Sequence, residues 1–118
     1  MPHHLETGIL GEQLADKFLV KKGFTILNKN WRQGHWEIDI IAAKDDFLHF
    51  IEVKTRRSTK FGNPEESVSK TKLRNLIKAA EVYCSAYPNL KKISFDILSI
   101  LILENQPPDY FFIEDVYV

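Results

Sequence analysis

Three ionisable side chains stand inside apolar runs, and this placement constrains the fold more than any other feature of the sequence. Asp39 lies within residues 37–41, and twelve residues separate it from Glu52, which is followed closely by Lys54. Because side chains alternate along a strand, Glu52 and Lys54 face the same way. If the two runs pair as a hairpin, two carboxylates and one ammonium meet on neighbouring strands. A lone charge in such a place is strongly disfavoured, so a cation that binds oxygen is predicted between the carboxylates.

These residue types suit a magnesium-dependent phosphodiesterase centre. Mg²⁺ prefers oxygen ligands and is typically bound through one or two carboxylates, so Asp39 and Glu52 are the predicted ligands, with the peptide carbonyl of Val53 as a further one. Lys54 is expected to stay protonated and to neutralise charge that develops on a phosphate. A buried salt bridge between Lys54 and either carboxylate is the structural alternative that the sequence leaves open.

The hydrophobic pattern predicts one α/β domain over residues 1–118, with its core at about 8–103. Short turn signals separate the first three predicted strands, which favours an antiparallel meander, and a long polar loop follows the third. A helix then separates the third strand from the fourth and allows these two to be parallel neighbours. The fold class is therefore a mixed sheet flanked by helices, in the order α-β-β-β-α-β-β, and the predicted elements are a helix at 8–22, strands at 24–31, 36–43 and 47–55, a helix at 69–86, and strands at 93–103 and 110–118.

The first predicted helix carries two residues that relate it to the site. Gly11 falls within the apolar face formed by Leu10, Leu14, Ala15, Phe18 and Leu19, so the helix backbone can lie close to whatever it packs on. Glu12 lies at the border of the same face. We expect the side chain of Glu12 to lie along the sheet surface rather than to point straight into water.

Basic residues are concentrated directly after the candidate site, although the formal net charge of the chain is zero. From residue 54 to 78 there are eight basic and two acidic residues, whereas the last fifteen positions hold four acidic residues and no basic one. Such a segment is suited to holding a phosphate backbone, and a solvated helix face with a polar loop is the alternative. The predicted nucleic-acid contacts are Arg56, Arg57, Lys60, Lys72 and Arg74.

Composition indicates a soluble globular protein, with 44% hydrophobic and 27% charged residues. The longest apolar run, at residues 97–103, is far shorter than the roughly 20 residues of a membrane span, and the first residues lack the pattern of a signal peptide. Cys84, the only cysteine, excludes an intramolecular disulfide and suits a reducing compartment. We therefore expect a cytoplasmic protein without a membrane partner. The edge of the predicted strand 110–118 would allow a homodimer.

Several short motifs, in order along the chain, resemble those of the YraN-like bacterial proteins. They are Gly11-Glu12, Asn30, Glu37-Ile38-Asp39, Ile51-Glu52-Val53-Lys54-Thr55-Arg56, Phe61-Gly62, Lys72 and Phe95-Asp96. That uncharacterised family has a restriction-endonuclease-like fold, similar to archaeal Holliday junction resolvases. The resemblance extends over about residues 8–100.

The resemblance implies a metal-dependent nuclease centre of the PD-(D/E)xK kind. Glu12 matches the first-helix glutamate, Asp39 the aspartate, and Glu52 and Lys54 the E-x-K pair, while Lys72 matches the lysine of the second helix. The expected function is an endonuclease that uses Mg²⁺ (or Mn²⁺) and hydrolyses DNA, including branched or recombination intermediates. The alternative is a nuclease fold that has lost catalysis and serves as a nucleic-acid- or protein-binding module.

A few other residues could contribute to a site. Trp36 stands where the family usually has glycine, just before Glu37, and its ring could narrow the approach to Asp39. Together with Trp31 and Phe61 it could stack on bases, although aromatic residues in such positions are more often part of a core. His49 is expected to be a core histidine, and Asp96 to cap or brace the site.

Overall fold

The computed structural model describes residues 3–57, 70–86 and 92–116, with side chains from residue 8 onward. Within these ranges the chain forms two helices and five strands, in the predicted order α-β-β-β-α-β-β. The elements are α1 (His3–Lys21), β1 (Thr25–Gln33), β2 (Trp36–Lys44), β3 (Phe47–Arg56), α2 (Lys70–Ser85), β4 (Lys92–Leu101) and β5 (Asp109–Ile113).

The strands of the described residues form one mixed sheet in the order β1-β2-β3-β4-β5. β1, β2 and β3 are an antiparallel meander, β4 pairs parallel with β3, and β5 returns antiparallel to β4. The parallel pair is continuous from Phe47↔Lys92 to Arg56↔Leu101. The predicted fold class is confirmed, and the architecture is compatible with a restriction-endonuclease-like fold.

The two described helices cover opposite faces of the sheet, because alternate strand residues belong to different cores. The α2 side contains Ile38, Ile41, Leu48, Phe50, Leu73, Leu76, Ala79, Ala80, Tyr83 and Ile97. The α1 side contains Ala15, Leu19, Phe24, Ile40, Ala42, Ile51, Leu98 and Ile100. Each large aliphatic side chain buried in this way contributes about 1.5–3 kcal/mol relative to exposure. The central strands are therefore held rigidly from both sides.

At Gly11 the backbone of α1 lies close to β3. A Cβ atom at this position would lie 2.0 Å from Oγ1 of Thr55 and 3.0 Å from its Cβ. The close approach that the sequence predicted is thus present. Leu10, which the pattern assigned to the same apolar face, is instead 36% exposed, because the buried stripe is centred on Gly11, Ala15 and Leu19.

The last strand is shorter than the sequence pattern predicted. β5 ends at Ile113 rather than continuing through the apolar residues beyond it. Asp115 has a φ of 59°, which turns the chain, and the N–H of Val116 donates a hydrogen bond to the carbonyl of Phe95 at 2.7 Å. Residues 114–116 are therefore anchored to β4 by a turn, and residues 117–118 lie outside the described ranges. Within those ranges, no helix combines the length and apolar character that a membrane crossing requires.

Candidate metal centre

The candidate site lies where β2 and β3 separate. Their pairing ends at Ile40↔Ile51, so the next residues along the two strands are Asp39 and Glu52. Oδ2 of Asp39 accepts a hydrogen bond from the N–H of Val53 at 2.8 Å. A carboxylate thus takes the place of a backbone acceptor and points at β3. The geometry brings the carboxyl groups of Asp39 and Glu52 to the same side of the sheet, where both line one pocket.

Glu52 is the most deeply placed charge of this cluster, with only 4% of its surface exposed. Its Oε1 atom lies 2.5 Å from Nζ of Lys72 on α2 and 3.7 Å from Nζ of Lys54 on β3. A buried carboxylate without a partner would be strongly destabilising. Two ammonium groups from different elements therefore compensate Glu52 when no metal is bound.

Asp39 has an unusual acid–base state for an aspartate. Burial, and next the negative charge of Glu52, raise its pKa from 3.8 to about 7, against the opposing effects of the Val53 N–H and the Lys72 ammonium. Desolvation and a like charge both disfavour the ionised form. Two carboxylates that repel each other at neutral pH are a common feature of sites that bind a divalent cation.

The two lysines respond in opposite directions. Burial, followed by the neighbouring Lys72 ammonium, lowers the pKa of Lys54, although Glu52 and Asp39 act in the other direction. Burial also acts to lower the pKa of Lys72, but its bond to Glu52 and the charge of that carboxylate outweigh this effect, so its pKa is raised. The strand pattern predicts only the carboxylates around Lys54, whereas the second ammonium is brought there by the packing of α2.

Not all of the other predicted site residues contact this centre. Glu12 is exposed on α1, and none of the hydrogen bonds or ion pairs found among the described residues joins it to Asp39 or Glu52. Arg56 and Arg57 follow Lys54 at the end of β3, and Arg57 is exposed.

Of the remaining predicted phosphate-binding residues, the structure describes Arg74. Arg74 is exposed on α2. Because two residues of a helix span about 200°, it lies on the far side of α2 from Lys72 and does not face the carboxylates. Lys60 and Phe61 lie outside the described residues.

The pocket at the centre also brings together residues of the β1–β2 hairpin and of α2 that the sequence pattern does not group. The tip of the β1–β2 hairpin supplies His35 and Trp36 to one wall of the pocket, and Asn75 of α2 lines it together with Lys72. The pocket has a volume of about 350 Å³. Asn75 lies one helical turn after Thr71, which also lines the pocket, and that spacing is a signal the sequence offered.

Asp96 is not part of the centre, contrary to the expectation that it would brace or cap it. It is fully buried on the α1 side, where its carboxylate meets Nδ1 of His49 at 2.5 Å and accepts hydrogen bonds from Oγ of Ser94 at 2.6 Å and the N–H of Asp115 at 3.0 Å. The expected core position of His49 agrees with its 5% exposure.

Potential ligand atoms of His49, Asp96 and Glu114 lie within 4.8 Å of one another. With three protein contacts already made by the Asp96 carboxylate, this group serves to anchor the C-terminal turn.

Fold and site together define a mixed-sheet α/β protein with paired carboxylates and two lysines at a break between adjacent strands. The chain belongs to the uncharacterised protein family UPF0102, whose profile matches residues 11–100. The resemblance to YraN-like proteins is thereby confirmed.

Relatives of this family come from distant bacteria. A UPF0102 protein of Syntrophomonas wolfei is 49% identical over 98 residues, which cover 82% of this chain and 85% of the relative. A UPF0102 protein of Dictyoglomus thermophilum is 51% identical over 98 residues, covering 82% and 83% of the two chains. One from Rhodococcus opacus is 36% identical over 118 residues, 99% of this chain and 100% of its own.

Proposed function

We propose that this protein is a Mg²⁺-dependent (or Mn²⁺-dependent) endonuclease that hydrolyses phosphodiester bonds of DNA. The observation that supports this most strongly is the meeting of the Asp39 and Glu52 carboxyl groups beside Lys54, where β2 and β3 part. Burial and the repulsion between these two carboxylates raise the pKa of Asp39, and a divalent cation between them would relieve that repulsion.

The donor set fits magnesium. Asp39 and Glu52 offer carboxylate oxygens, which this ion prefers. The N–H and C=O of one strand residue point towards the same neighbouring strand. Because the Val53 N–H points to Asp39, the Val53 carbonyl faces the same gap and is the third proposed ligand. When bound, the ion would supply an activated water and neutralise charge on the phosphate.

The two lysines of the centre would bind the phosphate and neutralise its charge. Lys54, which extends from the strand beside Glu52, would neutralise the negative charge that builds on the phosphate oxygens in the transition state. Lys72, which is 47% exposed, can turn from Glu52 to an incoming phosphate. Arg56 and Arg57 at the end of β3 would hold the adjacent backbone. Glu12 is assigned no part in the reaction, because it is exposed on α1, which covers the opposite face of the sheet.

Cleavage assays on linear, flapped and four-way DNA with Mn²⁺ test this function. We expect Glu52→Gln to reduce the rate by at least about a hundredfold, since even indirect partners of a metal site cost 10- to 100-fold when removed. Glu81→Gln, which alters an exposed carboxylate of α2, is the matched control and should cleave like the wild type. Equal cleavage by wild type and Glu52→Gln would show that a contaminant is responsible.

A catalytically silent binding module is the second candidate, and one observation favours it. Lys54 and Lys72 already compensate Glu52 when no metal is present. Titration with Mg²⁺ or Mn²⁺, followed through the backbone amide signals of Asp39 and Val53, separates the two candidates. Shifts that saturate support the metal-dependent enzyme, and the absence of any response supports the binding module.

A further inference from the structure

The β1–β2 hairpin diverges from β3 at the candidate site and forms one wall of it. β1 and β2 remain paired up to Gln33↔Trp36, whereas β2 leaves β3 after Ile40. Residues 36–39 of β2 therefore border a cleft on the side that β3 would otherwise occupy. The opposite wall of the cleft is α2, and Asp39 and Glu52 lie between the two walls.

The hairpin wall is aromatic. Trp36 is partly buried, with part of its ring packed on the α2-side core, and it also lines the pocket. The exposed ring of His35 lies 5.4 Å from the Trp36 ring, centroid to centroid. Facing them, Asn75 and Lys72 line the wall formed by α2. The cleft thus combines an apolar face with an amide and an ammonium opposite.

Size and depth limit what can enter this cleft. Its volume is about 350 Å³, which is near the lower end of small-molecule sites and has room for one nucleotide but not for a base pair with its stacked neighbours. Glu52, at 4% exposure, lies at the bottom. A phosphate must therefore enter the cleft to reach it, and the paired and stacked bases of a duplex are too bulky to follow their phosphate into a cleft of this volume.

We propose that the cleft binds a single unpaired nucleotide, with its base stacked on Trp36 and its phosphate held by Lys72, next to the proposed metal site. The substrate class is then DNA that is single-stranded, or locally unpaired, at the phosphate that is cut. This inference rests on the proposed function. It assigns to Trp36 a role in substrate choice rather than only in packing.

Tryptophan fluorescence provides a direct test, because the chain has two tryptophans, Trp31 and Trp36. Trp31 packs edge-on against Tyr83 on α2, at a centroid distance of 5.5 Å, and does not line the cleft. The variant Trp31→Phe leaves Trp36 as the sole reporter. Titration in EDTA, which prevents cleavage, with a short single-stranded oligonucleotide should quench this signal, whereas the same sequence as a blunt duplex should not.

Binding constants for the single strand provide a second readout. We expect Trp36→Ala to weaken binding by about 5- to 150-fold, the range that loss of one base–aromatic stack produces. Trp31→Phe is the matched control and should bind like the wild type. If Trp36→Ala does not fold, Trp36→Leu retains an apolar side chain without an aromatic face and should show the same loss.

The outcomes separate this inference from the proposed function. Selective quenching by the single strand, without cleavage of any DNA, would support the nucleotide cleft and refute the nuclease. Metal-dependent cleavage of blunt duplex and single strand at equal rates, with Trp36→Leu cutting as well as Trp31→Phe, would support the nuclease and overturn the cleft. Equal quenching by both DNA forms also overturns it.

Discussion

At the scale of single residues, the acid–base states in the candidate centre are set by burial and by neighbours of like charge. Asp39 is the most affected group, because it is desolvated and faces Glu52. Such an arrangement reduces stability at neutral pH and is retained where it serves a function. Replacing Asp39 should therefore stabilise the fold while it removes the metal site.

Asp39→Asn is expected to stabilise the protein at pH 8. Between about pH 4 and 7 the folded protein keeps a proton on Asp39 that the unfolded chain releases, because the folded pKa is about 7 and the ordinary value is 3.8. The contribution of Asp39 to the free energy of unfolding of the wild type therefore decreases as pH rises through that window. An amide can still accept the Val53 hydrogen bond. The expected gain at pH 8 is on the order of 2–4 kcal/mol, with little difference at pH 4.

Urea denaturation of wild type and Asp39→Asn at both pH values measures this effect. Asp45→Asn, at an exposed turn position with a φ of 50° that asparagine also tolerates, is the matched control and should be neutral at both. A loss of stability at pH 8 for Asp39→Asn would contradict the repulsion between Asp39 and Glu52.

Lys72→Met should tighten metal binding. The Lys72 ammonium lies 2.5 Å from the Glu52 oxygen that the metal needs, so it competes with the ion and also repels it. Its removal is expected to increase the affinity for Mg²⁺ several-fold, which corresponds to about 1 kcal/mol.

Isothermal titration calorimetry with Mg²⁺ measures this change, with Arg74→Met as the control. Arg74→Met removes a positive charge from the same helix on its exposed side and should leave the affinity nearly unchanged. Equal or weaker affinity of Lys72→Met would show that Lys72 does not compete with the metal.

The grouping of Asp39, Glu52 and Lys54 could be predicted from the sequence, because strand alternation and two apolar runs suffice to bring these residues together. The contact of Lys72 with Glu52 could not be predicted, since it depends on how α2 lies across the sheet. The wall formed by His35 and Trp36 also could not be predicted from the sequence. It depends on where β2 and β3 stop pairing, and the residue pattern continues without a break through that point.

At the scale of secondary structure elements, the position of α1 against β3 depends on one glycine. Gly11 allows the helix backbone to rest on Thr55, which follows Lys54 directly. Any displacement of α1 at this contact would reach the strand that carries the candidate centre. The contact therefore relates the helix to the geometry of the site.

Gly11→Ala should be destabilising, although alanine is the better helix former by about 1 kcal/mol. The added Cβ would lie 2.0 Å from Oγ1 and 3.0 Å from Cβ of Thr55, and a β-branched side chain held in a strand has little freedom to turn away. We expect a net loss of about 1–3 kcal/mol, as for other overpacked sites.

Thermal unfolding compares this variant with Gly8→Ala, the matched control on the same helix. A Cβ at Gly8 meets no atom within 4 Å, so helix propensity should make Gly8→Ala neutral or stabilising. The Thr55→Ala change, added to Gly11→Ala, should recover part of the loss by removing the nearest atom. A Gly11→Ala protein as stable as Gly8→Ala would refute the close contact.

Element order and type could be predicted from hydrophobic periodicity and turn residues, as β2 and β3 illustrate. The end of β5 could not, because residues 114–116 leave the strand for contacts with β4 that are distant in sequence. The N–H groups of Asp115 and Val116 bond to Asp96 and to the carbonyl of Phe95. These acceptors outweigh the β propensity of the apolar C-terminal residues.

At the scale of the whole molecule, the two faces of the sheet use buried aspartates in different ways. On the α2 side, Asp39 faces another carboxylate and is poised to accept a cation. On the α1 side, Asp96 meets three protein partners and connects β3, β4 and the C-terminal turn. One face therefore carries the candidate chemistry, and the other holds the chain together.

Asp96→Asn is consequently expected to destabilise the protein, opposite in sign to Asp39→Asn at pH 8. Oδ1 of Asp96 accepts both the Ser94 hydroxyl and the Asp115 N–H, so an amide oxygen can keep these two bonds. The amide NH2 then replaces the oxygen that faces Nδ1 of His49, and a ring N–H at that position loses its acceptor, at a cost of about 1–3 kcal/mol. Urea denaturation should show the loss, and hydrogen exchange should become faster at Val116, whose N–H is 2.7 Å from the Phe95 carbonyl. Magnesium affinity should be unchanged, because Asp96 lies on the face opposite Asp39 and Glu52. A stabilised variant, or one with altered magnesium binding and normal exchange at Val116, would mean that Asp96 serves the candidate centre rather than the anchor.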